Sequence, residues 1–442
     1  MQAHQSVNIR RISQNRAEQV GYYRFLENGR VTTSELVRSL ADACEQQVNG
    51  KHILAISDSS EINLQAHVGR IKSEGLGVVG NNRDIGFFIH PTLGVDAENG
   101  FPLGIGDVQS WRREPGHANK HERGYPTLPI EEKESYKWLK AATTSSRYFE
   151  RGGARLVTHI GDRESDMYEE WASVPDAFNH LLLRVKQDRR LWGQSSSLYA
   201  YLAAQPCAGT YAFQVQADLR HERKAREAWM MVRFARVEIQ RPDQLPAQDY
   251  PERVRLWAVE AQEVSAPTGQ KPIHWRLMTT HEVNTLEQAL QMIEWYRWRW
   301  RIEQLFATLK TAGLDLEATQ LESIDAIERL CILGLSVALR LLQLLEGRDD
   351  PALPASVAFT EAQQHCLEQL APKLNGRTRK QQNPYPVATL AWATWYIARL
   401  GGWSGYDSQH PPGIATLAHG MRQFDAIFLG WQLVHTPLVC TQ

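Results

Sequence analysis

The amino-acid sequence predicts an α/β fold built on a mixed sheet, with a β-rich insertion and helical segments at both ends. Three observations carry this reading. Apolar runs of strand length alternate with helical patterns before residue 187. Between about 187 and 280 the chain turns strand-like, with Pro and Gly in the intervening turns. From Leu286 onward helical periodicity returns and persists towards the C-terminus.

Residues 1–50 read as helical and polar. Thr33 or Ser34 is the expected cap of a helix whose Leu36, Leu40 and Cys44 share one stripe. HILAISD (52–58), GFFIHPTLGV (86–95) and PLGIGDVQSW (102–111) read as strands, the last two joined by a turn at Asn99-Gly100. A helix follows over Glu131–Glu150, then the strand RLVTHIGD (155–162), a helix from about Glu164, and the strand HLLLRVK (180–186). The early strands look antiparallel and the later ones parallel, as in a mixed sheet. The insertion at about 187–280 contains AWMMVRFARVEI, VRLWAVEAQEV and HWRLMTT. Helices are expected over Leu286–Lys310 and Ser323–Leu345, and the Pro-rich stretch 349–356 as a linker. The expected divisions are therefore 1–50 helical, 51–345 α/β with its insertion, and 346–442 helical.

Composition narrows the function classes. At 442 residues, 43% hydrophobic and 22% charged, the chain is globular rather than disordered. A formal charge of −1 excludes a protein held to polyanions by bulk charge alone. It averages over opposed segments: residues 217–236 carry six basic residues and three acids, whereas 312–330 carry five acids against one Arg. DNA binding through local phosphate contacts therefore stays open. The five cysteines are scattered and form no C-x-x-C pair, so neither a disulfide framework nor a zinc site is expected. The N-terminal stretch has no apolar signal core, and the run Cys331–Leu345 is too short to span a bilayer. The expectation is a cytoplasmic protein. Gly75-Leu-Gly77-Val-Val-Gly80 matches G-x-G-x-x-G but leads to a strand, against a dinucleotide site.

Three segments carry chemistry. On a continuous helix, Tyr296, Arg299, Glu303 and Lys310 fall within an arc of about 60°, opposite Trp298, Ile302, Leu305 and Leu309. That arc is either a salt-bridged solvent face or a site with a phenol, two cations and a carboxylate. Asp162, in Gly161-Asp162-Arg163-Glu164-Ser165-Asp166, ends an apolar strand, where α/β sheets place ligands; it could equally cap the next helix. Asp58 ends HILAI and could equally form an Asx-turn. Three converging carboxylates suit Mg²⁺ or Mn²⁺, and two such ions can act on a phosphodiester.

Together these segments resemble the DDE transposases of the insertion-sequence-4 family. Tyr296, Arg299, Glu303 and Lys310 match that family's Y-(2)-R-(3)-E-(6)-K signature, and the D-R-E-x-D box matches at Asp162–Asp166. Weaker echoes include YYRFLEN (22–28), LLLRVK (181–186) and ARLGGW (398–403). The resemblance implies a ribonuclease-H-like fold and a metal-binding catalytic triad of Asp58, Asp162 and Glu303, with two Mg²⁺ or Mn²⁺ ions per site. It implies cut-and-paste transposition: hydrolysis at transposon ends, hairpin formation and strand transfer to target DNA. Tyr296, Arg299 and Lys310 would grip phosphate near a flipped base, and Trp275, otherwise a core strand residue, would stack on that base. Arg184 and Lys186 would lie near the DNA, although they could also be solvated edge charges. The helical region at 346–442 would mediate a homodimer, and the setting would be a bacterial nucleoid. Family members carry an N-terminal segment that recognises the transposon end; here His4 to Arg16 is read as its short remnant. The alternative expectation is therefore an N-terminally truncated product that acts as a dimerising inhibitor or is inactive.

Overall fold

The computed structural model describes residues 7–13, 15–72, 74–80, 82–116, 128–215, 224–312, 314, 316–406 and 409–435. Helices α1 (Ile9–Ile12), α2 (Arg16–Glu27) and α3 (Thr33–Glu45) open the chain. The expected remnant from His4 to Arg16 lies partly outside the described residues. The cap of α3 is Thr32, one residue before the expected position. Its side chain accepts from the Glu35 N–H while Glu35 reaches back to the Thr32 N–H, so two otherwise unpaired donors are satisfied together.

Strands β1 (His52–Ser57), β2 (Ser60–Asn63), β3 (Val78–Val79), β4 (Asp84–Asp96) and β5 (Pro102–Trp111) follow. Helix α4 (Tyr136–Arg151) starts five residues after the expected Glu131, behind a 3-10 turn at Ile130–Glu132. Then come β6 (Leu156–Gly161), the short α5 (Tyr168–Ser173) and β7 (Asn179–Arg184). The insertion contributes α6 (Leu198–Ala203), β8 (Gly209–Val215), β9 (Arg226–Gln240), β10 (Arg253–Glu263) and β11 (His274–Thr279).

All these strands except β3, which pairs only with β4, belong to one sheet in the order β5-β4-(β1, β2)-β6-β7-β11-β10-β9-β8. β1, β6 and β7 are mutually parallel, and the remaining pairings are antiparallel. The central order β5-β4-β1-β6-β7 is consistent with a ribonuclease-H-like domain. The insertion extends the same sheet, because β11 pairs with β7 from Leu277↔Arg184 to Thr279↔Leu182.

Residue alternation sorts the strands between cores. Leu54, Ile56, Ile160 and Leu182 face a cluster with α7 (Leu286–Trp298), α8 (Trp300–Ala307) and α9 (Ile324–Glu346). Ile53, Ala55 and Val157 point the other way, towards Phe149 of α4 and the C-terminal helices. Leu181 and Leu183 pack with Trp171 of α5 and Leu198 and Leu202 of α6.

The C-terminal helices are α10 (Glu361–Leu374), α11 (Leu390–Leu400) and α12 (Ile414–His435). Their core cluster includes Leu341 and Leu344 of α9, so packing crosses residue 345 without a gap. The Pro-rich stretch is also tied down: Ala355 N–H donates to Ala388 at 2.8 Å, and Leu390 N–H donates to Leu353 at 2.7 Å. α11 and α12 approach through Gly420, where a Cβ would come within 1.8 Å of the Ile397 carbonyl oxygen. Any larger residue there forces the two backbones apart.

Far from the chemistry-bearing strand ends, His52, His180 and His281 form a half-buried polar cluster. Thr158 Oγ1 lies 2.8 Å from His52 Nε2 and 2.6 Å from His281 Nε2, and His180 stacks on His281 with centroids 4.1 Å apart. Burial, then neighbouring positive charge, pushes His52 down to about 4 and His281 down to about 3. Both imidazoles are therefore neutral in the folded state above those values. The unfolded state takes up their protons from about pH 6.5 downward. Stability supplied by this cluster is thus present above pH 6.5 and lost as the pH falls towards 4. Urea unfolding of His281→Gln is expected to show a shallower loss across that window than the wild type; equal slopes would remove the cluster as the cause.

Candidate active site

The site begins with strand register. β1 and β6 pair up to Ile56 beside Ile160, so Asp58 and Asp162 follow just past the ends of neighbouring parallel strands, close enough for the charge of Asp162 to act on Asp58. β6 and β7 pair with Ile160 beside Leu182, which brings Asp162 beside Arg184. Asp58 and Asp162 lie just past the ends of β1 and β6, whereas Arg184, because alternation has period two, continues the face of Leu182. That face packs against α7, α8 and α9.

Asp58 directly follows the last residue of its strand, at a break between two strands that pair with β4. β1 stops at Ser57 opposite Thr92, and β2 resumes at Ser60 opposite Ile89, so Asp58 and Ser59 fall opposite Pro91 and His90. Pro91 has no N–H to donate, and the ladder lapses there. The backbone N–H of Ser59 turns to Asp58 Oδ1 at 2.8 Å, and Ser59 Oγ meets His90 Nδ1 at 3.0 Å. Pro91 within GFFIHPTLGV was the available signal for this break.

Asp162 lies in a loop rather than at a helix cap, because α5 begins only at Tyr168, four residues beyond the expected start. Its Oδ1 accepts the Glu164 N–H at 2.7 Å, an Asx-turn. The second Asp of the box, Asp166, is buried and anchors the loop. It accepts from Arg189 Nη2 at 2.5 Å, Trp171 Nε1 at 3.0 Å and the Lys186 backbone N–H at 2.7 Å. Ser165 seats against Gly161, where a Cβ would lie 2.5 Å from the Ser165 side chain. Arg189 is a positioning residue with no local sequence signal.

Glu303 comes from α8. α7 starts behind a capping box of Thr285 and Gln288 and runs to Trp298. At Arg299 the bonding shortens: Arg299 N–H donates to Tyr296 O at 3.1 Å, and Ile302 N–H to Arg299 O at 3.2 Å. After α8 comes a π-helical segment, Thr308–Ala312. The expected single helix is thus interrupted at Arg299 and widened at 308, which changes its angular register. Lys310 Nζ lies 3.8 Å from Glu317 Oε1, the atom that also accepts the Asn63 N–H. Tyr296, expected on the polar arc, is only 7% exposed and belongs to the apolar cluster.

Charge at the site is concentrated. Arg299 bridges two carboxylates, with Nη1 at 2.8 Å from Asp58 Oδ2 and Nη2 at 2.6 Å from Glu303 Oε1. Burial, then the charge of Asp162, pushes the Asp58 carboxyl up to about 6, with Arg299 opposing and Glu303 adding. Burial also raises the Tyr296 phenol, whose neighbours include Arg299, Arg184 and Asp162. Lys186 is exposed. Trp275 is partly buried on β11, its ring edge-on to Phe213 at 5.1 Å. Arg297 covers the same Phe213 at 5.0 Å.

Three carboxylates form an all-oxygen donor set, which fits a hard divalent cation. As they stand, no three His, Cys, Asp or Glu among the described residues are grouped to hold a metal ion. The guanidinium of Arg299 supplies the positive charge between Asp58 and Glu303.

Residues 156–339 match the family model described as the transposase DDE domain. The match runs from the first residue of β6 into α9 and includes Asp162 and Glu303; Asp58 precedes it. Together with the mixed α/β architecture, the match supports a transposase DDE domain over these residues, which are less than half of the chain. No helix among the described residues is long and apolar enough to cross a membrane.

The Asp166 anchor makes a direct prediction. Asp166→Ala leaves Arg189 buried without its counter-charge and is expected to cost about 3–5 kcal/mol in urea unfolding. A loss below about 1 kcal/mol would show that the loop does not depend on this pair.

Proposed function

We propose that the protein is a cut-and-paste DNA transposase of the insertion-sequence-4 type, similar to the transposase of transposon 5. It would cleave phosphodiesters at transposon ends, form and reopen a hairpin, and join the freed 3′-hydroxyl to target DNA. The observation that carries this reading is the register that sets Asp58 beside Asp162, with Glu303 linked to Asp58 through Arg299. The family match over 156–339 adds independent support.

In this reading Asp58, Asp162 and Glu303 hold two Mg²⁺ or Mn²⁺ ions, which when bound supply Lewis-acid polarisation of the phosphodiester. The protein's own groups bind and orient the DNA. Arg184 and Tyr296 flank Asp162 and are proposed to receive the phosphate next to the reacting one. A guanidinium suits phosphate because its N–H groups match two oxygens at once. Lys186 and Lys310 would extend this cationic surface, and Arg299 would join it once released from the carboxylates.

Hairpin formation bends the backbone sharply and needs a base out of the stack. Trp275, on the strand beside Arg184, is proposed to stack on that base, a contact contributing about 1–3 kcal/mol. Two chains would act together on paired ends, through the helical region at 346–442. The exposed Leu433 and Val434 of α12 are compatible with such a role. The proposed setting is the cytoplasm, at the nucleoid.

The test uses linear DNA carrying the inverted repeats that flank the gene, with Mg²⁺ and denaturing gels. Asp58→Ala, Asp162→Ala and Glu303→Ala are each expected to abolish both nicking and hairpin products. Cleavage surviving in any one of them would sink the triad. Trp275→Ala is expected to reduce hairpin formation by about 10-fold or more while sparing the first nick. Equal loss at both steps would count against stacking.

A further inference from the structure

We propose that Arg299 is a latch that keeps the three carboxylates from binding cations until DNA arrives. The inference rests on the proposed metal-binding role of Asp58, Asp162 and Glu303. Two different nitrogens of one guanidinium engage two carboxylates on separate elements. Nη1 holds Asp58, at the break between β1 and β2, and Nη2 holds Glu303 on α8. The Arg299 side chain is 14% exposed and that of Asp58 19%, so water screens this bridge less than a surface pair. A divalent cation would need the same oxygens, and cation and guanidinium therefore compete.

Release has a structural basis. Arg299 is the single residue between α7 and α8, where the regular helical bonds give way to shorter ones. Its neighbour Trp300 is 60% exposed and packs little against the core. A phosphate offers two oxygens in a geometry that a guanidinium accepts as readily as carboxylates. Arg299 can therefore exchange carboxylate oxygens for DNA phosphate oxygens without losing charged hydrogen bonds. The carboxylates are left bare and repelling, which is the state that takes up divalent cations. Arg184, beside Asp162 in the same row, provides a second cation to retain the phosphate. Metal loading would thus follow DNA binding, and the protein without DNA would be poorly loaded and inert.

The test measures Mn²⁺ binding to the full chain by electron paramagnetic resonance of the free ion. Wild type without DNA is expected to bind weakly. Arg299→Gln is expected to bind about 10-fold tighter or more, since one close charge pair on each carboxylate is gone. Arg299→Lys keeps the charge but cannot span both carboxylates, and it is also expected to bind tighter than wild type. Duplex DNA, added where fluorescence anisotropy shows it bound, should tighten Mn²⁺ binding of the wild type and leave Arg299→Gln unchanged. Asp58→Asn in the Arg299→Gln background should remove the gained affinity. If it does not, the metal reading and the latch both fall. If it does, but wild type and Arg299→Lys bind Mn²⁺ alike without DNA, the latch alone is overturned. A tighter Arg299→Gln with an unchanged Arg299→Lys would reduce Arg299 to a neutralising charge and likewise overturn the latch.

Discussion

Negative charge gathered at one point is the constraint around which this molecule is organised. Two parallel strands in fixed register set Asp58 and Asp162 side by side, and α8 adds Glu303. Like charges at such spacing repel, and burial strengthens the repulsion. The surroundings offset it. Arg299 spans two of the carboxylates, Arg184 lies next in the row, and Lys137 pairs with Glu164 of the same loop at 3.2 Å. A protein optimised only for stability would not gather these acids. Burial and mutual repulsion raise the Asp58 carboxyl, and the neighbouring Arg299 only partly offsets that cost.

The same logic extends outward. Asp162 sits in a loop, and loops hold geometry poorly unless tied. Here the tie is Asp166, whose carboxylate joins the loop to Arg189, to Trp171 of α5 and to the backbone after β7. Gly161 allows Ser165 to close against the strand end. The D-R-E-S-D box thus divides its labour: the first Asp faces the site, and the second fixes where the first one points.

Much of this was legible in the sequence, for identifiable reasons. Strands such as HILAIS and LVTHIG are apolar on both faces and β-branched, so local pattern suffices to find them. The acids were conspicuous because they interrupt or end such runs. What was not legible is what depends on contacts distant in sequence. Asp58 meets Asp162 through a pairing of strands roughly a hundred residues apart, and no local signal carries register between them. The four-residue signature was read on one ideal helix, whereas the chain breaks its bonding at Arg299 and widens at Thr308. Tyr296 consequently lies in the apolar cluster, and Lys310 reaches Glu317. The starts of α4 and α5 were displaced by four or five residues, because a 3-10 turn at Ile130–Glu132 and the Asx-turn at Asp162 occupy the expected first turns.

The insertion joins the sheet through β11 on β7, so a continuous hydrogen-bonded ladder runs from β5 to β8. Such a ladder is stiff in its own plane. Swinging the insertion away from the central strands would break the bonds between Leu277 and Arg184 and their neighbours in one cooperative step. Trp275 and Arg184 consequently behave as points on a single plate, fixed in distance from each other and from Asp162. The helical layer packed on this plate has its seam at Arg299, so the break between α7 and α8 and the bridge between two of the carboxylates are the same residue.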